Sequence, residues 1–347
     1  MSTQPMSGSP LNKPQTMIEA GNLLYQLGRR DYANALYQYA LDEGYEPAKF
    51  NQAIAIINTR KNLESAYPLL VDIKDEDNAL WNYMMGTVLR FRLDPDGAWP
   101  LHLRSLELSP TTAEFLEGAA HCAHMTGRHT EAMGYHASAL SLDPNNPNSR
   151  MYLGMDQMLL GQWDEGITNY KARERGLIYQ PSKLTRWTGK EPNVVITAEQ
   201  GGGDLIMMLR FARKLTDQGF QVAVQCPEYI AEIVRFVDGV SKVFTSECET
   251  LADDPHWHYI PAFSLMEYFK PDEWSSDPYI HIPKGIVSMM GQFKGFNGLC
   301  WRGNPDHLND FMRSVSYPDI RKMIGKANIY YGSLQYNPSV DDLAKFD

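Results

Sequence analysis

A separation of 34 residues links matching positions throughout the first half of the chain. The matches keep small, apolar and proline residues in step, which chance rarely does with a single period. A fixed period of this length indicates a stack of repeated units, each of which buries its apolar face against its neighbours. The matched positions are Gly86, Ala120 and Gly154; Ala98, Ala132 and Gly166; Leu106 and Leu140; Pro110 and Pro144; and Gly127 and Gly161.

The fullest copies are GRHTEAMGYHASALSLDPNN and YLGMDQMLLGQWDEGITNY, and they resemble the tetratricopeptide repeat, a helix-turn-helix unit of this length. Small residues at the shared positions would let two helices approach closely, and DPNN would end one helix and cap the next. Earlier copies are degenerate, since LGRRDYANALYQYALDEGYEP slips by one residue and RKNLESAYPLL keeps little beyond Ala66. We predict five helix pairs over residues 17–175, after a disordered lead-in at 1–16.

Arrays of this kind stack into a curved solenoid whose concave face binds a peptide or partner protein. The alternative is a spacer that only positions or dimerises the segment that follows. Met and Tyr side chains at helical spacing, such as Tyr83, Met84 and Met85, are interpreted as core packing. His102 and His136 lie 34 residues apart at the aromatic position of the repeat and are interpreted in the same way.

The helical period ends after Arg175, and a connector at 176–193 contains Pro181, Gly189 and Pro192. Short apolar runs then alternate with amphipathic stretches, which predicts a Rossmann-like α/β domain with a parallel sheet over 194–283. The predicted strands are 194–198, 220–226, 241–244 and 256–260, and the predicted helices are 204–218 and 228–236.

Residues 284–347 are interpreted as a linker and an incomplete second α/β unit. The unit would contain a strand at 298–302, a polar loop, a helix near 318–325 and a strand near 328–334. This length is too short for a second full nucleotide-binding domain, which takes on the order of 100 residues.

The formal net charge of -10 argues against sequence-independent nucleic-acid binding, which requires a clustered basic surface. The four cysteines are scattered without a CxxC pair, so we expect reduced thiols and a cytoplasmic location. His256 and His258 share one face of a predicted strand, but no third ligand is near them in sequence, and we predict no metal site. We also predict no membrane span, because no window is apolar over about 18 residues.

The stretch VVITAEQGGGDLIMMLRFARKL predicts a buried strand, a glycine-rich turn and a helix. In one interpretation the turn is purely conformational: Gly201 to Gly203 permit positive φ and close packing, and Asp204 caps the helix. In the other the turn binds a ligand. It lacks the GxGxxG spacing of dinucleotide sites and the lysine of a P-loop, so NAD and ATP are poor candidates.

Four segments together resemble bacterial and phage tetratricopeptide proteins fused to a glycosyltransferase-like domain: WTGKEPNVVITAEQGGGDLIMMLRFARKL, DGVSKVF, YIPAFSLMEYF and CWRGNPDHLNDFMRSVSY. That domain is related to heptosyltransferases and to O-linked N-acetylglucosamine transferase, which have the two-domain GT-B fold. The resemblance covers roughly residues 183–336. It implies that 194–283 is the acceptor-side domain and that 284–347 is part of the donor-side domain.

The resemblance also implies roles for individual residues. Asp204 would be the general base that takes the proton of an acceptor hydroxyl, in a turn formed by Gln200, Gly201 and Gly203. In the donor loop, Arg313 would bind the diphosphate of a nucleotide-sugar with a bidentate fork. The neutral hydrogen-bond partners there would be Asn304, Asn309 and Ser314. The nucleotide-sugar is a co-substrate, and neither a metal nor another cofactor is implied.

Two positions depart from the family pattern, Arg302 after the tryptophan and Met312 in the loop. The family's later donor segments would follow the strand that ends in SLQ, and we find no match to them before Asp347. The resemblance therefore predicts a glycosyltransferase-like protein with an incomplete donor side, and leaves open whether it is an active enzyme. Such a chain could be inactive, a fragment, or completed by a second chain or oligomer. If the chain is an active enzyme, its repeats would bind the protein or glycan acceptor. The alternative function is a non-catalytic scaffold whose repeats bind a partner protein.

Overall fold

The computed structural model describes residues 13–59, 63–176, 183–246, 251, 254–289, 291, 294–295, 297–303, 314–325 and 331–335. The chain divides into two compact units between Gln162 and Trp163. None of the helices in these described ranges is both long and apolar enough to cross a membrane.

The first unit is built from helices that pack against their sequence neighbours. The described helices are α1 (Lys13–Gln26), α2 (Arg30–Asp42), α3 (Ala48–Thr59), α4 (Ala66–Ile73), α5 (Ala79–Phe91), α6 (Pro95–Leu108), α7 (Ala113–Met125), α8 (His129–Leu142) and α9 (Pro147–Leu159). The tenth helix of the predicted series, α10 (Trp163–Tyr170), belongs to the second unit.

Helices α5 and α9 begin where short polar side chains satisfy free backbone amides. Oδ1 of Asn78 accepts from the amides of Leu80 and Trp81 at 3.0 and 3.2 Å, which caps α5. Asn146 caps α9 in the same way, followed by Pro147 at the first helical position. The prediction that DPNN ends one helix and caps the next is therefore confirmed.

Small residues allow the close helix approach that the period predicts. A Cβ atom added to Gly86 would lie 3.0 Å from Nε2 of His102, and one added to Gly118 would lie 2.8 Å from its Nδ1. His102 is fully buried, and so are Ala98 and Ala132 at the equivalent small positions of their repeats. The prediction that His102 is a packing residue is confirmed.

The odd-numbered helices of the first unit contact one another along the array. Helix α1 contacts α3, α3 contacts α5, and α5 contacts α7, all more extensively than successive even-numbered helices do. A row of closely spaced helices beside a more widely spaced row bends an array towards the closer row. The odd-numbered helices therefore form the inner row.

The second unit contains a four-stranded parallel sheet in the order β3-β2-β1-β4. Val195 in the middle of β1 is paired with Ala223 and Tyr259, and all three strand centres are shielded by apolar side chains. The strands are β1 (Asn193–Thr197), β2 (Gln221–Gln225), β3 (Val240–Phe244) and β4 (Trp257–Pro261), and the helices between them are α11 (Gly202–Met208), α12 (Ala212–Asp217) and α13 (Glu228–Val234).

Part of the predicted connector pairs with the sheet. The amide of Trp187 donates to the carbonyl of Tyr259 at 2.8 Å, and the amide of Tyr259 donates to the carbonyl of Thr185 at 3.0 Å. The connector therefore covers the free edge of β4, which its proline and glycine content did not predict.

A second, two-stranded parallel sheet pairs β5 (Asn297–Leu299) with β6 (Tyr331–Ser333). Helix α14 (Lys284–Met289) precedes it, and α15 (Tyr317–Ile324) lies between its strands in sequence. This is the predicted order of strand, loop, helix and strand.

Candidate functional site

The glycine-rich turn begins at the carboxyl end of β1 and leads into α11. Oδ2 of Asp204, in the first turn of α11, accepts from the amide of Gly201 at 2.9 Å. This is the contact that the helix-capping interpretation requires. Asp204 is only partly buried, so the same carboxylate is also accessible from solvent.

The positive φ in this turn belongs to Gln200, at +59°, and not to any of the three glycines. The expectation that Gly201 to Gly203 supply it is therefore corrected. A non-glycine residue is held in this region only when its surroundings fix it. Here Nε2 of Gln200 donates to the hydroxyl of Tyr170 at 3.1 Å, which anchors the side chain.

Close packing, in contrast, requires one of the three glycines. A Cβ atom on Gly202 would lie 2.9 Å from the hydroxyl of Tyr229 and 3.0 Å from Cγ2 of Ile230. A Cβ atom on Gly203 would meet nothing within 4 Å. The turn thus presses α11 against α13 at Gly202 and leaves open space beside Gly203.

Glu199, the acid at the start of the turn, is buried in an ion pair. Nε and Nη2 of Arg173 donate to Oε2 and Oε1 of Glu199, both at 3.0 Å. The amide of Phe263 also donates to Oε1, at 2.6 Å. Glu199 therefore ties the end of β1 to two 3₁₀ helices, Lys171–Gly176 and Ala262–Glu267. This arrangement makes it a structural residue of the turn.

A wider polar network continues from this pair. Nη2 of Arg173 also donates to Oγ of Ser264 at 2.8 Å, and Arg186 binds both Glu174 and Glu267, at 2.8 and 2.7 Å. Burial opposes ionisation of the Glu267 carboxyl, but the bonds from Arg186 and Lys171 outweigh it and lower its pKa. The network fixes the backbone on which the turn rests.

The donor-loop residues are only partly within the described ranges. Asn304, Asn309 and Arg313 lie outside them. Oγ of Ser314 accepts from the amide of Gly303 at 2.9 Å, beside a bond from the amide of Val315 to the carbonyl of Trp301 at 2.8 Å. Ser314 thus joins the two ends of the loop.

A histidine and carboxylate cluster in the first unit was not predicted. His124, His129 and Asp156 each offer a ligand atom, and these atoms lie within 4.8 Å of one another. Asp156 follows His124 by 32 residues and His129 by 27, and the two histidines flank a turn. No local sequence motif therefore marks the cluster. A useful sequence signal would have been an acid at a position that is apolar in the preceding repeats.

No protein family matches the chain, and no curated protein matches it. Solved structures of helical-repeat proteins are similar to about half of it. YrrB, described as a TPR protein with an unusual peptide-binding site, is 22% identical over 46% of this chain and 86% of its own, with a TM-score of 0.36. MamA is 16% identical over 49% and 98%, with a TM-score of 0.38. TTC0263, a thermophilic TPR protein of Thermus thermophilus, is 20% identical over 47% and 91%, also with a TM-score of 0.38.

Because these identities and TM-scores are low, the assignment of the first unit rests on its own features. Those features are the 34-residue period, the helix pairs and the small residues at their contacts. The first unit is a tetratricopeptide-like helical array, and the second unit contains a small parallel sheet.

Proposed function

We propose that the chain is an interaction scaffold that binds a peptide segment of a partner protein on the inner row of its helices. The observation that supports this most is a contrast between two sets of positions in the repeat. The positions between helices keep small residues, as in Gly86, Ala120 and Gly154. The neighbouring face of the same helices changes its chemistry from repeat to repeat.

We call this surface the variable face. It is built from residues four apart on each of α5, α7 and α9, which places them on one side of each helix. All but Thr87 are partly exposed, and Tyr83, which was predicted to pack in the core, both packs against the core and keeps an exposed part. The residues are Tyr83, Thr87, Glu117, His121, Met151 and Met155.

Aromatic contacts hold two side chains of the variable face, Tyr83 and His121, against the next helix along the array. The rings of Tyr83 and Phe115 are 5.1 Å apart across α5 and α7, and those of His121 and Tyr152 are 4.4 Å apart across α7 and α9. A fixed surface that combines aromatic, thioether, carboxylate and imidazole groups offers both apolar area and hydrogen-bonding groups to an extended peptide. A spacer would not need such variation.

The test begins with a random-peptide display selection on the purified chain. The dissociation constants of the selected peptides are then measured by fluorescence anisotropy. Met151→Lys on α9 is expected to weaken binding at least about tenfold, because a charge replaces an apolar contact. Ser138→Lys, on the exposed side of α8, is the matched control and is expected to bind as the parent does. Equal affinity in the two variants would reject the variable face.

Glycosyl transfer by the second unit is the second candidate. One observation favours it: the Asp204 turn follows β1 at the carboxyl edge of a parallel sheet, where ligands bind in such sheets. Asp204 would take the proton of an acceptor hydroxyl as the anomeric carbon of a nucleotide-sugar is attacked. A second chain could supply the remaining donor-side groups.

Asp204→Asn separates this candidate from a structural role, because the amide oxygen can still accept from Gly201. The parent is expected to transfer or hydrolyse sugar from one member of a panel of labelled UDP-, GDP- and ADP-sugars, and the variant is not. Asp217→Asn, on the surface of α12, is the control. Absence of turnover in the parent would remove this candidate and leave the scaffold proposal intact.

A further inference from the structure

Asp156 is a buried carboxylate in the last turn of α9, and its side chain is 0% exposed. Its Oδ1 atom lies 2.7 Å from Nδ1 of His124, at the end of α7, and 2.9 Å from Nδ1 of His129, at the start of α8. Both imidazoles converge on one oxygen. Three helices therefore meet at this carboxylate.

An acid at this position departs from the residue types found at the equivalent positions of the earlier repeats. The positions 34 and 68 residues earlier are Cys122 and Val88, and both side chains are buried. Cys122 reaches the preceding helix pair through a bond from Sγ to the carbonyl of Pro95 at 3.2 Å. Asp156 makes the equivalent contact one repeat later, because its partner His129 lies 34 residues after Pro95. The scaffold thus packs this position with apolar or thiol groups, and only the last copy introduces a charge.

The second oxygen of Asp156 adds an independent observation. Its Oδ2 atom is buried without a hydrogen-bond partner within the described parts of the chain. Nε2 of His136 lies 3.9 Å from this oxygen, which is too far for a hydrogen bond. A buried carboxylate oxygen left in this state costs free energy, and a cation held by the neighbouring Oδ1 atom would offset part of that cost.

We propose that His124, His129 and Asp156 bind a divalent transition ion of the zinc class. Two imidazole nitrogens and one carboxylate oxygen form a borderline donor set that suits zinc and disfavours magnesium or calcium. In a tetrahedral zinc site with bond lengths of ~2.0–2.1 Å, neighbouring ligand atoms are separated by about 3.3 Å. Two of the three separations here are 2.7 and 2.9 Å, and all three are within 4.8 Å, so small side-chain shifts reach that value.

The surroundings suit entry and retention of an ion. The side chains of His124 and His129 are 21% and 25% exposed, so an ion can enter from solvent. The side chain of Asp156 is fully buried and forms the inner wall of the site. The His124 ring is held by edge contacts with His129 and Tyr152, with centroids 5.4 and 5.9 Å away. Three protein ligands would leave one coordination position for water or an external ligand.

Proton and charge balance are simple. Each neutral imidazole moves its proton from Nδ1 to Nε2 as Nδ1 takes the metal, and Asp156 contributes its negative charge. The ion would then replace two hydrogen bonds with three coordinate bonds that link α7, α8 and α9. Because an ion bound to the folded state stabilises it, zinc should raise the melting temperature of the first unit.

The test uses the full chain without a histidine tag and zinc chloride as the probe, followed by isothermal titration calorimetry. We expect one zinc ion per chain, and at least tenfold weaker binding in His129→Gln. His129 is partly exposed, so this variant should fold. His256→Gln, a histidine of the second unit, is the control and should bind zinc as the parent does. Asp156→Asn, which loses the charge but keeps an acceptor, should also lose binding.

Cobalt(II) provides a second measurement, because a four-coordinate site with two imidazoles gives visible bands that hexaaquo cobalt lacks. Zinc should abolish these bands, and magnesium should not. The proposal is overturned if the parent binds no zinc, if His129→Gln binds it as tightly as the parent, or if magnesium competes equally. Neither His129 nor Asp156 belongs to the variable face, so peptide binding can persist when zinc binding is lost.

Discussion

Arg173 and Glu199 form a two-point ion pair in which both donor-acceptor distances are 3.0 Å, and their side chains are 5% and 0% exposed. The pair joins the end of β1 to a 3₁₀ helix 26 residues earlier in the chain. The glycine-rich turn that follows therefore starts from a fixed point. One acid of the predicted motif is structural, and Asp204 is the acid that remains partly exposed.

Glu199→Ala is expected to destabilise the second unit by about 3–5 kcal/mol, because it leaves the Arg173 charge buried and unpaired. Asp217→Ala removes one partner of the exposed pair with Arg213 and should cost at most about 0.5 kcal/mol. Urea unfolding followed by tryptophan fluorescence measures both. Similar losses in the two variants would contradict the structural role of Glu199.

Much of the fold follows from local sequence patterns, as far as the structure describes it. The helices of the first unit have the predicted period, and the four strands of the first sheet begin and end within one or two residues of their predicted bounds. These features depend on short-range spacing of apolar and small residues, which a single sequence displays directly. The predicted helix 204–218 is instead two helices, α11 and α12, separated by a 3₁₀ turn at Leu209–Phe211.

The site was less predictable because its contacts join distant residues. Nothing near Glu199 indicates that Arg173 neutralises it, and nothing near Asp156 indicates two histidines 27 and 32 residues earlier. The positive φ of Gln200 was missed because the adjacent glycines were the expected place for it. Long-range pairing and local backbone fixation are consequences of the assembled fold.

The glycines of the turn should respond differently to an added methyl group. Gly202→Ala places a Cβ against Ile230, and this overpacking should cost about 1–3 kcal/mol. Gly203→Ala meets open space and should be neutral or slightly stabilising, because alanine favours the helix. Thermal unfolding of both variants provides the comparison. If Gly203→Ala is the more damaging change, the described turn geometry is wrong.

Asp204 should contribute to stability through its bond to the amide of Gly201. Asp204→Ala is expected to cost about 1 kcal/mol, the usual value of a helix cap. Asp204→Asn retains an acceptor oxygen and should lose less. Chemical denaturation distinguishes the two variants, and equal stability of parent and Asp204→Ala would show that the cap contributes nothing.

His102 should make the first unit sensitive to acid. Burial lowers the pKa of His102 to about 3, whereas an unfolded chain has a histidine pKa near ~6.5. Between these values the unfolded state binds a proton that the folded state does not. The titration of His102 therefore leaves the free energy of unfolding unchanged above about pH 6.5. Below that pH it lowers the free energy of unfolding by about 1.4 kcal/mol for each pH unit.

His102→Leu removes this titration and two buried nitrogens that have no hydrogen-bond partner within the described residues. The slope of unfolding free energy against pH, measured from about pH 6.5 to 4.5, should become less steep by one proton. An unchanged slope would show that His102 is protonated in the folded state or is not buried.

Site-specific photo-crosslinking to a selected peptide tests the central claim, peptide binding on the variable face, most directly. A benzophenone side chain placed at Met155 on α9 is predicted to form a covalent adduct with the bound peptide. The same probe at Ser138 on α8 is predicted to form none. Adducts from Ser138 with none from Met155 would contradict the account.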